Sequence, residues 1–231
     1  MVNVAEMSPA QLAPFIQHTK IQANATRAEM ITHISQAAEY GFNAAMVSGA
    51  WVPLAVDILE GTGITVASAL DFPTVGVMTS AGKAAEAAEL VRLGARELDI
   101  GVHIGWLKSG MHAQFKEDIA GVVRAAGVPI KVMLELPWLT PEEREIAVEL
   151  SLEAGVAYLK NASSGQVETA NPESIRYLAA RTRKGVQVKA SGSIKSLTQA
   201  RELLQAGASL LGTSAGIEII TDSGDEQTRS Y

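Results

Sequence analysis

Short apolar or β-branched runs alternate along the chain with longer segments whose apolar residues recur at helical spacing. That is the pattern of repeated βα units feeding a parallel sheet, and about eight such units fit the length. The runs predict strands over Phe15 to Thr19, Phe42 to Ser48, Ile64 to Leu70, Ala95 to Val102, Pro129 to Leu136, Ala157 to Ser163, Val186 to Gly192 and Ser209 to Ala215. Helices rich in Ala, Glu and Leu are predicted between them, among them Thr26 to Tyr40, Ser80 to Leu93, Pro141 to Ala154, Pro172 to Arg181 and Leu197 to Ala206. Their ends carry matching punctuation. Tyr40-Gly41, Leu93-Gly94, Ala154-Gly155 and Ala206-Gly207 suit left-handed C-terminal caps, while Thr140-Pro141-Glu142-Glu143 and Asn171-Pro172-Glu173 read as an N-cap, a first-turn proline and acidic first-turn residues. No linker or shift in composition divides the chain. The expectation is an α/β protein, a single (β/α)8 barrel over residues 1–222, followed by a polar and disordered tail over 223–231.

Composition narrows the chemistry. The 231 residues are 47% hydrophobic, enough to bury a sizeable core, and the formal net charge of -6 argues against nucleic acid as a partner, since such proteins carry a basic face. With no cysteine, disulfides, thiolate nucleophiles and Cys-based metal sites are excluded, leaving lysine, carboxylate, histidine and hydroxyl chemistry. Met1 to Ala10 has no signal-like pattern, and no apolar run reaches the roughly 18 residues of a membrane span. A soluble, cytoplasmic protein with no membrane partner is expected.

Side chains alternate along a strand, and in a barrel one face looks inward. Parity then groups Glu97, Asp99 and Gly101 on the inner face of the fourth strand, and Lys131, Met133 and Glu135 on that of the fifth. It groups Tyr158, Lys160 and Ala162 in the sixth strand, and Gln187, Lys189 and Ser191 in the seventh. Lysine is among the residues least often buried, so one in each of three strands needs a reason. A structural ion network is one reading, and a register shifted by one, which would turn these residues outward, is another. The catalytic reading is favoured because Asp99, Lys160 and Lys189 fall toward strand C-terminal halves, where barrel active sites assemble. A lysine attacks only as the neutral amine, and a neighbouring cation with partial desolvation favours that form. Either Lys160 or Lys189 serves as nucleophile on this argument, with Asp99 positioned to relay protons.

The seventh and eighth strands lead into Ala190-Ser191-Gly192-Ser193-Ile194 and Gly212-Thr213-Ser214-Ala215-Gly216. Glycine admits close approach of backbone N–H groups to an anion and hydroxyls add donors, in the position where barrels bind phosphate. His18, His33, His103 and His112 lack metal-ligand spacing, so no metal site is expected. His103 is a candidate for the pocket lining. Trp51, Trp106 and Trp138 closely follow strands, where they either wall the pocket mouth or pack. Lys108-Ser109-Gly110 reads as a loop or helix end.

Across about Leu12 to Ile220 the sequence resembles the deoxyribose-phosphate aldolase family. The resemblance is carried by Gly94-Ala95-Arg96-Glu97-Leu98-Asp99, Ile104-Gly105-Trp106-Leu107-Lys108-Ser109-Gly110, Ala154-Gly155-Val156-Ala157-Tyr158-Leu159-Lys160, Val188-Lys189-Ala190-Ser191-Gly192 and Gly212-Thr213-Ser214-Ala215-Gly216. It implies that Lys160 is the Schiff-base lysine, Lys189 the cation that favours its neutral form, and Asp99 the proton-relay acid. It also implies reversible cleavage of 2-deoxy-D-ribose 5-phosphate to acetaldehyde and D-glyceraldehyde 3-phosphate, without metal or organic cofactor, and a tendency to form homodimers. Ser163, Gly192, Ser193, Gly212, Thr213 and Ser214 are the expected contacts of the sugar phosphate.

The sequence departs from the family pattern at several points. Gln17-His18-Thr19 stands for Asp-His-Thr, Met46-Val47-Ser48-Gly49 for Cys-Val-Asn-Pro, and Asp71-Phe72-Pro73 for Gly-Phe-Pro. Lys160-Asn161-Ala162-Ser163-Ser164 stands for Lys-Thr-Ser-Thr-Gly, and Ser193 for a glycine. These changes fall where the family holds substrate hydroxyl and phosphate groups. They leave open a related lysine-dependent aldolase with another, non-phosphorylated acceptor. A sugar-phosphate-binding barrel without turnover is the third reading, opposed by the presence of Asp99, Lys160 and Lys189.

Overall fold

The computed structural model describes residues 4–183 and 185–223. Eight parallel strands close into a barrel in sequence order, with helices between them, as the alternating pattern predicts. They are β1 (Ile16–Lys20), β2 (Ala44–Ser48), β3 (Thr65–Leu70), β4 (Glu97–Gly101), β5 (Ile130–Met133), β6 (Tyr158–Lys160), β7 (Gln187–Ser191) and β8 (Leu210–Thr213). The helices are α1 (Arg27–Glu39), α2 (Val52–Leu59), α3 (Ser80–Arg92), α4 (Ile104–Lys108), α5 (His112–Ala126), α6 (Pro141–Glu153), α7 (Pro172–Ala179), α8 (Leu197–Gln205) and α9 (Gly216–Ile220). From residue 224 on, the expected tail lies outside the described residues.

The predicted caps are present. Thr140 and Asn171 accept hydrogen bonds from the backbone N–H groups of Glu143 and Ser174, satisfying donors that a helix start leaves free, and the four glycines that follow helices take positive φ. The fifth strand ends well short of the run predicted for it. Glu135 sits at φ 49°, a left-handed conformation that ends β5, so Glu135 does not continue the inward face of Lys131 and Met133.

The main core lies between the sheet and its jacket of helices, where Val47, Leu98, Ile100, Val132, Leu159 and Val188 are buried on outward faces. Inside the barrel a smaller apolar cluster, Ala44, Met46 and Ala67 with Ile21 and Ala69, lines the β2–β3 side. Those small side chains leave space opposite β4 to β7, and the polar column of the interior faces that space.

Gly101 ends β4 two residues beyond Asp99. A Cβ there would lie 2.6 Å from the carbonyl oxygen of Asp71 and 2.8 Å from Val75 Cγ1, so the loop after β3 rests on this glycine. Gly101→Ala is expected to cost about 1–3 kcal/mol by overpacking, read as a lower urea midpoint.

Candidate active site

Neighbouring strands pair Asp99 with Lys131 and Lys160 with Lys189, so the register itself assembles the polar column. Both Lys160 Nζ (2.8 Å) and Lys189 Nζ (2.7 Å) donate to one oxygen, Oδ2 of Asp99. Lys131 lies 3.6 Å from Oδ1 and forms a 2.6 Å ion pair with Glu97. Gln17 of β1 completes the ring. Its Oε1 accepts from Lys189 (2.6 Å), and its Nε2 donates to Glu97 (2.7 Å) and Asn43 (3.1 Å).

Burial alone would raise the Asp99 pKa, but the charges of Lys160, Lys189 and Lys131 outweigh it and hold the carboxyl well below the usual carboxylate range. For Lys189, burial is the largest influence and pushes the ammonium down to about 7; Asp99 opposes this, while Lys160 and Lys131 reinforce it. The site thus holds a permanent carboxylate beside an amine able to exchange its proton near neutral pH.

A cavity of about 680 Å³ opens above Asp99, Lys160 and Lys189 at the C-terminal end of the strands, walled by Met46, Ala69, Phe72, Pro73 and Met133. All six expected phosphate contacts line it: Ser163, Gly192, Ser193, Gly212, Thr213 and Ser214. They are not equivalent. Ser163 directs its N–H to the Glu135 carboxylate (3.0 and 3.2 Å), and Thr213 donates to the Ile194 carbonyl (2.6 Å) while accepting from Ala215 N–H, which ties the two loops together. Ser193 and Ser214 are exposed, and Ser193 takes φ 49° where the family has glycine. Gly212 has no room for a side chain because Ser191 Oγ and Lys189 Cε pass beside it, so it clears the path of Lys189.

Composition and pattern missed Lys195 and a second ion cluster, and placed Glu135 on a strand face that ends before it. Lys195 lines the cavity rim, but in the sequence it is indistinguishable from a surface lysine. Glu135 is fully buried, and burial raises its pKa against the hydrogen bonds from Ser163 and the charge of Lys160. The second ion cluster lies behind the cavity wall. Buried Lys83 donates to Asp118 (2.8 Å) and the Gly101 carbonyl (2.9 Å), and lies 3.1 Å from Asp71. Asp71 in turn accepts from Gly76, Val77 and Met78 N–H groups and so fixes the loop that carries Phe72 and Pro73.

The aromatic candidates are placed elsewhere. His103 does not line the cavity; it stacks on Trp106 at 3.9 Å, with Nε2 3.4 Å from Asp118 Oδ1, so it belongs to the second cluster. Trp51 packs against the core and Trp138 is half exposed, and neither walls the cavity. His18 and His33 stack on one another at 4.2 Å outside the barrel wall, and burial lowers both pKa values, that of His33 to about 3, keeping the rings neutral. Among the described residues no group of three or more His, Cys, Asp or Glu side chains is arranged to hold a metal ion. Among them, too, no helix is long and apolar enough to cross a membrane.

No family profile matches the chain. Individual proteins do. The deoxyribose-phosphate aldolase of Methanothermobacter thermautotrophicus is 41% identical over 221 residues, covering 95% of this chain and 98% of that protein. That of Thermosynechococcus vestitus is 41% identical over 209 residues, covering 90% and 95%. Among solved structures, the deoxyribose phosphate aldolase from Aeropyrum pernix, described as a unique tetramer, superposes with a TM-score of 0.84 at 28% identity over 96% of this chain and 93% of that one. With a closed eight-stranded barrel and relatives of this identity along nearly their whole length, the chain belongs to the deoxyribose-phosphate aldolase family and is an aldolase, a carbon–carbon lyase.

Proposed function

We propose that the chain is a class I aldolase that reversibly cleaves 2-deoxy-D-ribose 5-phosphate to acetaldehyde and D-glyceraldehyde 3-phosphate through a Schiff base on Lys160, with residues 1–222 acting as one barrel domain. The observation that carries this reading is the convergence of two lysine amines on one carboxylate oxygen at the floor of a cavity open to small molecules. Lys160 is the better nucleophile. Its Nζ donates to Asp99 alone and its side chain is 7% exposed, whereas Lys189 is 1% exposed and held by Gln17 as well.

In the cleavage direction the neutral Lys160 amine adds to C1 of the open-chain sugar, and loss of water from the carbinolamine leaves an iminium ion. Removal of the C3 hydroxyl proton breaks the C2–C3 bond. The electron pair moves into the iminium to give an enamine, and glyceraldehyde 3-phosphate leaves. Protonation of the enamine at C2, then hydrolysis, releases acetaldehyde and restores the amine. Asp99 stays ionised and serves as the acceptor around which protons pass, and Lys189, titrating near 7, is the group that gives and takes them. Exposed donors at Ser193 and Ser214, backbone N–H groups beside Gly192 and Gly212, and the Lys195 ammonium suit the 5-phosphate at the rim.

The reading is tested by treating the protein with acetaldehyde, reducing with borohydride and mapping the adduct by peptide mass spectrometry. An ethyl group on Lys160 is expected, and a folded sample with no modified lysine would sink the assignment. A second reading, an acceptor without phosphate, is favoured by the commitment of the Ser163 N–H to Glu135 and by the side chain at position 193. It is separated by comparing kcat/KM for 2-deoxyribose with and without the 5-phosphate. If the phosphate sits at the rim, Lys195→Ala raises KM for the phosphorylated sugar by about three- to tenfold, roughly the worth of one exposed charge-assisted contact, and leaves the free sugar unaffected.

A further inference from the structure

The loop that follows β3 is held by its own first residue. Asp71 takes φ 53°, a left-handed conformation that glycine adopts without strain, and the family pattern has glycine there, with no side chain to hold anything. The aspartate is compensated by its carboxylate. It accepts from the N–H groups of Gly76 (2.9 Å), Val77 (3.1 Å) and Met78 (3.2 Å), so the side chain at the start of the loop grips the loop's far end. The wholly buried ammonium of Lys83 lies 3.1 Å away and is anchored in turn on Asp118 and the Gly101 carbonyl. Burial alone would raise the Asp71 pKa, but the charge of Lys83 and the N–H groups of Val77 and Gly76 hold it low, so the grip is ionic at neutral pH.

The backbone is pinned at both ends as well. Asp71 rests its carbonyl on Gly101, and at the far end a Cβ on Gly76 would lie 2.5 Å from the Val102 carbonyl oxygen. The Gly76 carbonyl, which can only accept, takes the Nδ1–H of His103 at 3.1 Å. Between these pins the loop presents Phe72 and Pro73 to the cavity. The rim residues Ser163, Gly192, Ser193, Gly212 and Ser214 come from the loops after β6, β7 and β8, whereas Phe72 and Pro73 continue the apolar β2–β3 side formed by Met46 and Ala69. An acceptor that brings its phosphate to the rim occupies the first side, which leaves the second to the alkyl group of a donor aldehyde bound to Lys160.

We infer that Asp71 is a positioning residue that sets donor size: by fixing its loop through the carboxylate, it holds Phe72 and Pro73 against the space beside the donor carbon and so excludes aldehydes longer than acetaldehyde. A close-packed wall resists one added methylene only while it cannot move back. Without the carboxylate, the far end of the loop loses three acceptor contacts and Lys83 no longer ties the loop to α3 and α5.

The inference rests on the Schiff-base reading, and one experiment keeps the two apart. The full chain and its Asp71→Gly and Asp71→Asn variants are each incubated with an equimolar mixture of acetaldehyde and propanal and reduced with borohydride, and the ethyl and propyl adducts on Lys160 are quantified in the same peptide. Glycine relieves the backbone and leaves Lys83 paired with Asp118, so the fold should survive. Its propyl-to-ethyl ratio is expected to rise about tenfold over that of the parent, the low end of what one methylene counts for in an apolar pocket. Asparagine keeps the shape but sets its NH2 against donors whichever way it turns, Lys83 with the Gly76 N–H on one side and the Val77 and Met78 N–H groups on the other. It retains one acceptor oxygen, so a smaller rise, about threefold, is expected, and it carries the comparison should the glycine variant fail to fold. An unchanged ratio in the variants, an equal loss of both adducts, or a parent that takes propanal as readily as acetaldehyde overturns the inference about Asp71. A parent with neither adduct on any lysine overturns the Schiff-base reading itself.

Discussion

Lys160→Met is expected to abolish the borohydride-trapped adduct and to lower kcat/KM on the order of 10⁵-fold, the scale on which removal of a covalent nucleophile acts. The substitution should leave the fold intact, and the structure gives the reason. Lys160 is one of two amines sharing Asp99 Oδ2, where three amines meet Glu97 and Asp99. Methionine keeps most of the volume and removes the surplus charge, and replacing a buried charge by a well-packed apolar group is often neutral or stabilising. The urea midpoint should therefore hold or rise while activity collapses. A variant that lost activity and stability together would mean that Lys160 serves the barrel rather than the reaction. Retained turnover with an adduct elsewhere would move the nucleophile to Lys189.

The strand register explains why so much of this site can be read from the sequence. Period-two alternation through β4 to β7 puts Asp99, Lys131, Lys160 and Lys189 on one face, and the observed pairing of Asp99 with Lys131 and of Lys160 with Lys189 follows from that parity. Parity fails where the chain leaves the extended region. The left-handed Glu135 ends β5 and turns its carboxylate to the Ser163 N–H instead of continuing the inner face, and nothing local in Met133-Leu134-Glu135-Leu136 marks that turn. Long-range contacts are equally hidden. Lys83 lies in an alanine-rich first turn of α3 that reads as a solvated surface, yet it is wholly buried because Asp71 and Asp118, distant in sequence, meet it there. The same cluster captures His103, which adjacency to β4 had made a candidate for the cavity. The phosphate loops show a third limit: their composition identifies the residues but not the direction of each donor, so Thr213 looks like a ligand contact while its hydroxyl is bonded to Ile194.

Asp99→Ala is expected to have the largest effect on stability, about 3–5 kcal/mol at neutral pH, because it leaves Lys160 and Lys189 buried with no carboxylate between them and Lys131 with Glu97 alone. The pH dependence distinguishes this cause from a simple cavity. Asp99 titrates in the folded protein well below its ordinary value, so its contribution is present above the unfolded carboxyl pKa and is lost as pH falls toward the folded one. The gap between parent and variant should then narrow in acid. Above that range the sign follows from the lysines. In the parent, Lys189 gives up its proton near 7 while the unfolded chain keeps it to about 10.4, so the unfolded state binds more protons over that window and stability rises with pH. In the variant Lys189, no longer held by Asp99, releases its proton at a lower pH still, so its stability begins to rise earlier and the gap narrows as pH climbs toward 7. Urea unfolding of both proteins at strongly acid, mildly acid and neutral pH should therefore give a destabilisation that peaks in mild acid. A constant loss at every pH would mean that the missing carboxylate matters only for its volume, and that the three amines are not held by charge.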